Sequence, residues 1–127
     1  MKIEQRGYLH SYEELVKLNE MQGFTNLAFI HKMDVVKELE SFLEENLHLQ
    51  FKLFFMDAGT HKVVKASLPL IWDRITPGGI VVFDQYNHEL SPGETLAVRE
   101  LLPNQKVHII PNIWMPSGYI VKESGCC

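Results

Sequence analysis

At 127 residues, with 46% hydrophobic and 22% charged residues, the chain has the totals of one soluble globular domain. Its net charge of −4 gives no basic footprint for nucleic acid, and no apolar run reaches the roughly 18 residues that a membrane span needs. The amino terminus Met1-Lys2-Ile3-Glu4-Gln5-Arg6 lacks the apolar stretch of a signal peptide, so a cytoplasmic protein is expected.

Ser11-Tyr12-Glu13-Glu14 is a capping box, from which Leu15, Leu18 and Met21 follow at helical spacing until Gly23 supplies a stop. Phe24-Thr25-Asn26 then turns into a short apolar strand, Leu27 to Ile30. Asp34 is an N-cap for a helix from Val35 to Asn46, with Val35, Leu39, Phe42 and Leu43 on one face. Lys37, Glu38, Glu40, Glu44 and Glu45 form its solvated side.

A strand from Phe51 to Asp57 is followed by a helix from Lys62 to Asp73 that turns Val64, Leu68, Ile71 and Trp72 inward and carries Pro69, which should bend it. Thr76-Pro77-Gly78-Gly79 is a turn signal before a second strand, which runs from Gly78 to Tyr86. Both strands are near-continuous apolar runs that end on an aspartate, the pattern of strands buried on both faces of a parallel sheet. Strand, helix and strand make a βαβ unit, and ligands of such sheets bind beyond the carboxyl ends of the strands, where Asp57 and Asp84 fall. A strand-terminal aspartate also serves as a helix cap, which needs no ligand.

Asn87 to Gly93 reads as a loop, and Glu94 to Leu102 as a helix stopped by Pro103. Lys106 to Ile110 and Gly118 to Lys122 are strands of an antiparallel hairpin with a long connection, over which Trp114 would pack like a lid. The only cysteines, Cys126 and Cys127, are adjacent and cannot staple the fold, so a reduced tail is expected.

Asp57-Ala58-Gly59-Thr60-His61, the Trp72 helix, Pro77-Gly78-Gly79, Asp84-Gln85-Tyr86-Asn87 and Pro92-Gly93-Glu94 occur in one order along the chain. In that order they resemble the carboxyl-terminal half of class I S-adenosylmethionine-dependent methyltransferases, and most nearly the macrocin O-methyltransferase (TylF/MycF-like) family. The similarity extends from Gly7 to Lys122. It implies an α/β, Rossmann-like sheet of strand order 3-2-1-4-5-7-6, mostly parallel with a C-terminal antiparallel hairpin. On this alignment residues 1–127 are a single partial methyltransferase domain, truncated so that strands one and two and the glycine-rich loop are absent.

The resemblance also implies the site. Asp57 and Ala58 would contact S-adenosylmethionine, and Asp57, Asp84 and Gln85 would hold Mg²⁺. Gly59 and Gln85 stand where the family has second aspartates, which removes the family's general base at position 59. His61 is the nearest substitute, since an imidazole suits proton transfer near neutrality. His88 could face the same edge.

Two functions follow. One is methyl transfer from S-adenosylmethionine to a small-molecule hydroxyl, with the chain not competent alone. The other is a degenerate or truncated domain acting as a non-catalytic interaction module, or needing a partner chain. With strands one and two absent, the Leu27 strand is expected to pair with the Lys52 strand, or two chains to associate through that exposed edge.

Overall fold

The computed structural model describes residues 11–125, so Gly7 and the cysteine tail lie outside the described residues. The chain divides into two compact units, Met1–Met33 and Asp34–Cys127.

In the first unit, helix α1 (Tyr12–Met21) starts on the expected capping box. Ser11 Oγ accepts from the Glu14 N–H at 3.2 Å, and the Glu14 carboxylate accepts from the Ser11 N–H at 3.0 Å. The expected strand from Leu27 to Ile30 does not form: the segment is turn and irregular chain. The Leu27 and Ala28 N–H groups both donate to the Phe24 carbonyl at 2.8 Å, and Asn19 Nδ2 donates to the Ala28 carbonyl at 2.9 Å. Local bonds thus consume the groups a ladder would use, and four apolar residues without alternation carry no face that could fix a register.

The second unit comprises α2 (Val35–Glu45), β1 (Phe51–Met56), α3 (His61–Trp72), β2 (Ile75–Phe83), α4 (Gly93–Leu101), β3 (His108–Ile109) and β4 (Gly118–Val121). The sheet order is β1-β2-β4-β3, in which β1 and β2 are parallel and β4 runs antiparallel to both its neighbours. That is the 4-5-7-6 end of the implied order, with the C-terminal hairpin inserted as expected.

Alternate residues separate the two faces of this sheet. Met56, Val81, Phe83 and Ile120 are buried, together with Val64, Leu68 and Ile71 of α3 and Ala97 and Val98 of α4. On the opposite face Leu53 is 62% and Phe55 57% exposed, although β1 reads as a strand buried on both sides. Within this unit only one face carries helices, and β1 is the edge strand.

The turn signal Thr76–Gly79 is a bulge inside β2 and does not precede it. Phe51 pairs with Ile75 and Leu53 with Ile80, so Lys52 alone opposes residues 76–79. The Lys122 backbone closes the excursion, accepting from Gly78 N at 2.7 Å and donating to the Gly79 carbonyl at 2.8 Å. Helix α3 continues through Pro69, whose exposed ring faces away from the core.

Helix α2 has no basic residue in its last turn, and Arg74, arriving from the α3–β2 connection, caps it instead. Its guanidinium donates to the carbonyls of Leu43 (2.7 Å), Asn46 (3.0 Å) and Leu49 (3.3 Å).

Candidate functional site

The carboxyl ends of β1 and β2 release Asp57-Ala58-Gly59 and Asp84-Gln85-Tyr86 side by side, because Met56 and Phe83 are paired across the ladder. The start of α4 is driven between these loops. Glu94 is completely buried there, and its two oxygens accept from Gly59 N at 3.2 Å and Gln85 N at 3.0 Å. Burial pushes the Glu94 carboxyl above its ordinary value, the Gln85 and Gly59 N–H groups draw it part of the way back, and Asp84 adds repulsion. Gly93 is required for the approach: a Cβ there would lie 2.6 Å from His61 N and 2.8 Å from the Gly59 carbonyl oxygen.

The loop after β2 is fixed from several sides. Thr95 Oγ1 accepts from Asn87 N at 2.7 Å, which holds Asn87 at its left-handed φ of 62°. Ser117 Oγ donates to the Asp84 carbonyl at 2.7 Å. Ser91 Oγ donates to Gln85 Oε1 at 2.9 Å and also lies 3.2 Å from the Gly59 carbonyl oxygen.

The structure brings some expected site residues together and separates others. Asp57 is exposed and Asp84 half-buried. Burial raises the Asp84 carboxyl above its ordinary value, and the nearby Asp57 charge raises it further. Neither aspartate is spent as a helix cap, since the N-cap of α3 is Thr60, without a side-chain cap bond, and that of α4 is Pro92. Ala58 is half-buried beside them.

His61 opens α3, where its Nε2 lies 3.2 Å from Glu100 Oε2 on α4, an oxygen shared with Lys65 Nζ at 3.1 Å. Those two partners, Lys65 foremost, hold the Glu100 carboxyl below its ordinary value. His88 keeps a buried Nδ1 without a hydrogen-bond partner. Trp114, expected to pack as a lid, is 89% exposed, in a connection from Pro111 to Ser117 whose first four residues are all exposed.

Glu94 is the residue holding the site together that the sequence did not reveal. An acidic residue in a first turn reads as a favourable dipole partner on the surface. The sequence signal was the adjoining Pro92-Gly93, which forces a close approach at the residue before it.

The donor set does not fit a resident divalent cation. Both Glu94 oxygens are committed to backbone N–H groups and Gln85 Oε1 to Ser91, which leaves two carboxylates. Among the described residues no group of three or more His, Cys, Asp and Glu side chains is placed to hold a metal.

A family profile described as a methyltransferase domain matches residues 4–86. Among solved structures, the fold is similar to apo CalS11, described as a TDP-rhamnose 3'-O-methyltransferase, an enzyme in calicheamicin biosynthesis. The identity is 23% and the TM-score 0.74, over 91% of this chain and 55% of that one. A second structure, described as CalS11, calicheamicin methyltransferase, is 23% identical with a TM-score of 0.77, over 92% of this chain and 50% of that one. The chain thus spans about half the length of the solved proteins it matches. No curated protein matches it.

Proposed function

The chain belongs to the methyltransferase-domain family, and from that premise we propose that it is the carboxyl-terminal half of a TylF/MycF-like O-methyltransferase that transfers a methyl group to a small-molecule hydroxyl. The observation that carries this reading is the juxtaposition of Asp57 and Asp84 at the carboxyl ends of adjacent parallel strands, the edge at which α/β sheets bind ligands. The fold likeness to a sugar O-methyltransferase supports a hydroxyl as acceptor.

S-adenosylmethionine, the donor that the family uses, supplies a methyl group already activated by its sulfonium. The open carboxyl end of β1 gives Asp57 and Ala58 to its side of the edge. His61 takes the acceptor proton, with Glu100 on Nε2 orienting the ring and leaving Nδ1 as the basic nitrogen. The 127 residues contain no glycine-rich strand–helix loop, so turnover draws on one supplied from outside them.

Calorimetry tests the cofactor half of this reading. Saturable heat at millimolar S-adenosylmethionine, abolished by Asp57→Ala and retained by His61→Ala, is the expected outcome; no heat at that concentration rejects it.

A second reading is favoured by the exposure of Leu53 and Phe55 on an edge strand. In it, the chain is a non-catalytic module that self-associates through β1, because an unpaired apolar edge is a template for another strand. Sedimentation velocity should show dimers whose population falls in Phe55→Lys. Monomers at every concentration, for wild type and variant alike, would remove this reading.

A further inference from the structure

We propose that the carboxyl edge of β1 and β2 is closed to divalent cations, with the Gln85 amide standing in for the side chain that Gly59 lacks. Gly59 has φ +65°, and a Cβ built on it would lie 2.9 Å from Gln85 Oε1 and 3.8 Å from Ser91 Oγ. The space a residue-59 side chain would enter is therefore filled by the amide of residue 85.

The amide is held there. Ser91 donates its hydroxyl to Gln85 Oε1 at 2.9 Å, and the same hydroxyl oxygen lies 3.2 Å from the Gly59 carbonyl oxygen. The backbones are tied in parallel, since Gly59 N and Gln85 N donate to opposite oxygens of the one buried Glu94 carboxylate. Residues 59 and 85 are thus fastened to each other through the Glu94 carboxylate, and the one hydroxyl hydrogen of Ser91 secures the Gln85 amide beside Gly59.

This interlock decides the chemistry of the edge. A hard divalent cation such as Mg²⁺ needs several oxygens free to converge in near-octahedral geometry. Here the amide oxygen already shares itself with a hydroxyl hydrogen and the Glu94 oxygens face backbone N–H groups, so of the three carboxylates at this edge Asp57 and Asp84 are the two without such a bond. An aspartate at 59 could not complete the shell without expelling the amide. Whatever ligand this edge takes meets two carboxylates with no metal between them, and this holds whether or not the chain transfers methyl groups.

The test is titration of the full chain with Mn²⁺, followed by electron paramagnetic resonance, and with Mg²⁺ by calorimetry. The wild-type chain should show no saturable binding at Asp57 and Asp84. Gln85→Asp, which frees the space beside Gly59 and adds a carboxylate, should bring saturable binding within the titrated range. Gly59→Asp/Gln85→Asp should tighten it further. Saturable wild-type binding that Asp84→Asn abolishes overturns the proposal, whereas binding that survives Asp84→Asn lies elsewhere and supports a closed edge. If the substituted chains keep the wild-type circular dichroism and gain nothing, the interlock is not what keeps the cation out. The single variant leaves the strained position 59 untouched, so it decides the matter where the double variant does not fold.

Discussion

Glu94→Ala is expected to lower the unfolding free energy by about 3 to 5 kcal/mol, since it removes two charge-assisted hydrogen bonds worth roughly 1.5–3 kcal/mol each and orphans their donors. The donors are Gly59 N and Gln85 N, at the ends of two neighbouring strands, and the carboxylate between them is inaccessible to water that could replace it. Urea denaturation should show a lower midpoint at an unchanged slope. Glu94→Gln keeps one acceptor but turns an amide N–H toward the other donor, so it should fall between wild type and alanine.

Wild type and Glu94→Gln also separate by pH. The Glu94 carboxyl is raised in the folded chain by burial, so the folded state holds its proton more tightly than the unfolded state does. Its contribution is fully present below the unfolded value and is lost as pH rises through the folded one. Wild-type stability should therefore decline over that window, and the decline should be absent in Glu94→Gln.

Arg74→Leu is expected to cost about 2 to 3 kcal/mol, because the Leu43, Asn46 and Leu49 carbonyls lose the charged donor they share, the first two keeping only a backbone N–H, while the aliphatic volume is retained. The loss should be local at first. Helix α2 has no other cation in its final turn, so amide exchange in α2 should accelerate more than exchange in β2. Arg74→Lys should recover little, since a single ammonium cannot address carbonyls spread over Leu43, Asn46 and Leu49.

The elements legible in the sequence were those with a local cause. Ser11 and Glu14 announce α1, and the Asp34 cap with the Leu39/Leu43 stripe announces α2. The paired apolar runs ending in Asp57 and Asp84 give the βαβ unit. The misreadings share a different origin: each depended on what a segment meets far along the chain. Thr76–Gly79 has the composition of a turn, but becomes a bulge because Lys122 bonds to both sides of it. Leu27–Ile30 has strand composition without a partner that would make it one. Phe51–Met56 is apolar on both faces, and nothing in its own six residues states that the Asp34–Cys127 unit covers only one.

The candidate site divides in the same way. Asp57 and Asp84 were singled out by their places at strand ends, and Gln85 by the family resemblance alone. Glu94 was not, because its role comes from two N–H groups nine and thirty-five residues away. The engagement of Gln85 with Ser91 was equally invisible, since it depends on the absence of a side chain at Gly59.

The place of β4 in the sheet bears on how the chain is made. Strand β2 is central, yet one of its two neighbours is β4, the last strand in the sequence, and its bulge is closed by Lys122. A ribosome extends the chain at roughly 5–20 residues per second, so β2 spends seconds with one edge unpaired before its partner leaves the exit tunnel. During that interval β1, α3 and β2 can assemble as a βαβ unit while the register of β2 on its other side stays open. Arrival of β4 would complete this sheet, and the delay before it sets how long β2 keeps an open edge.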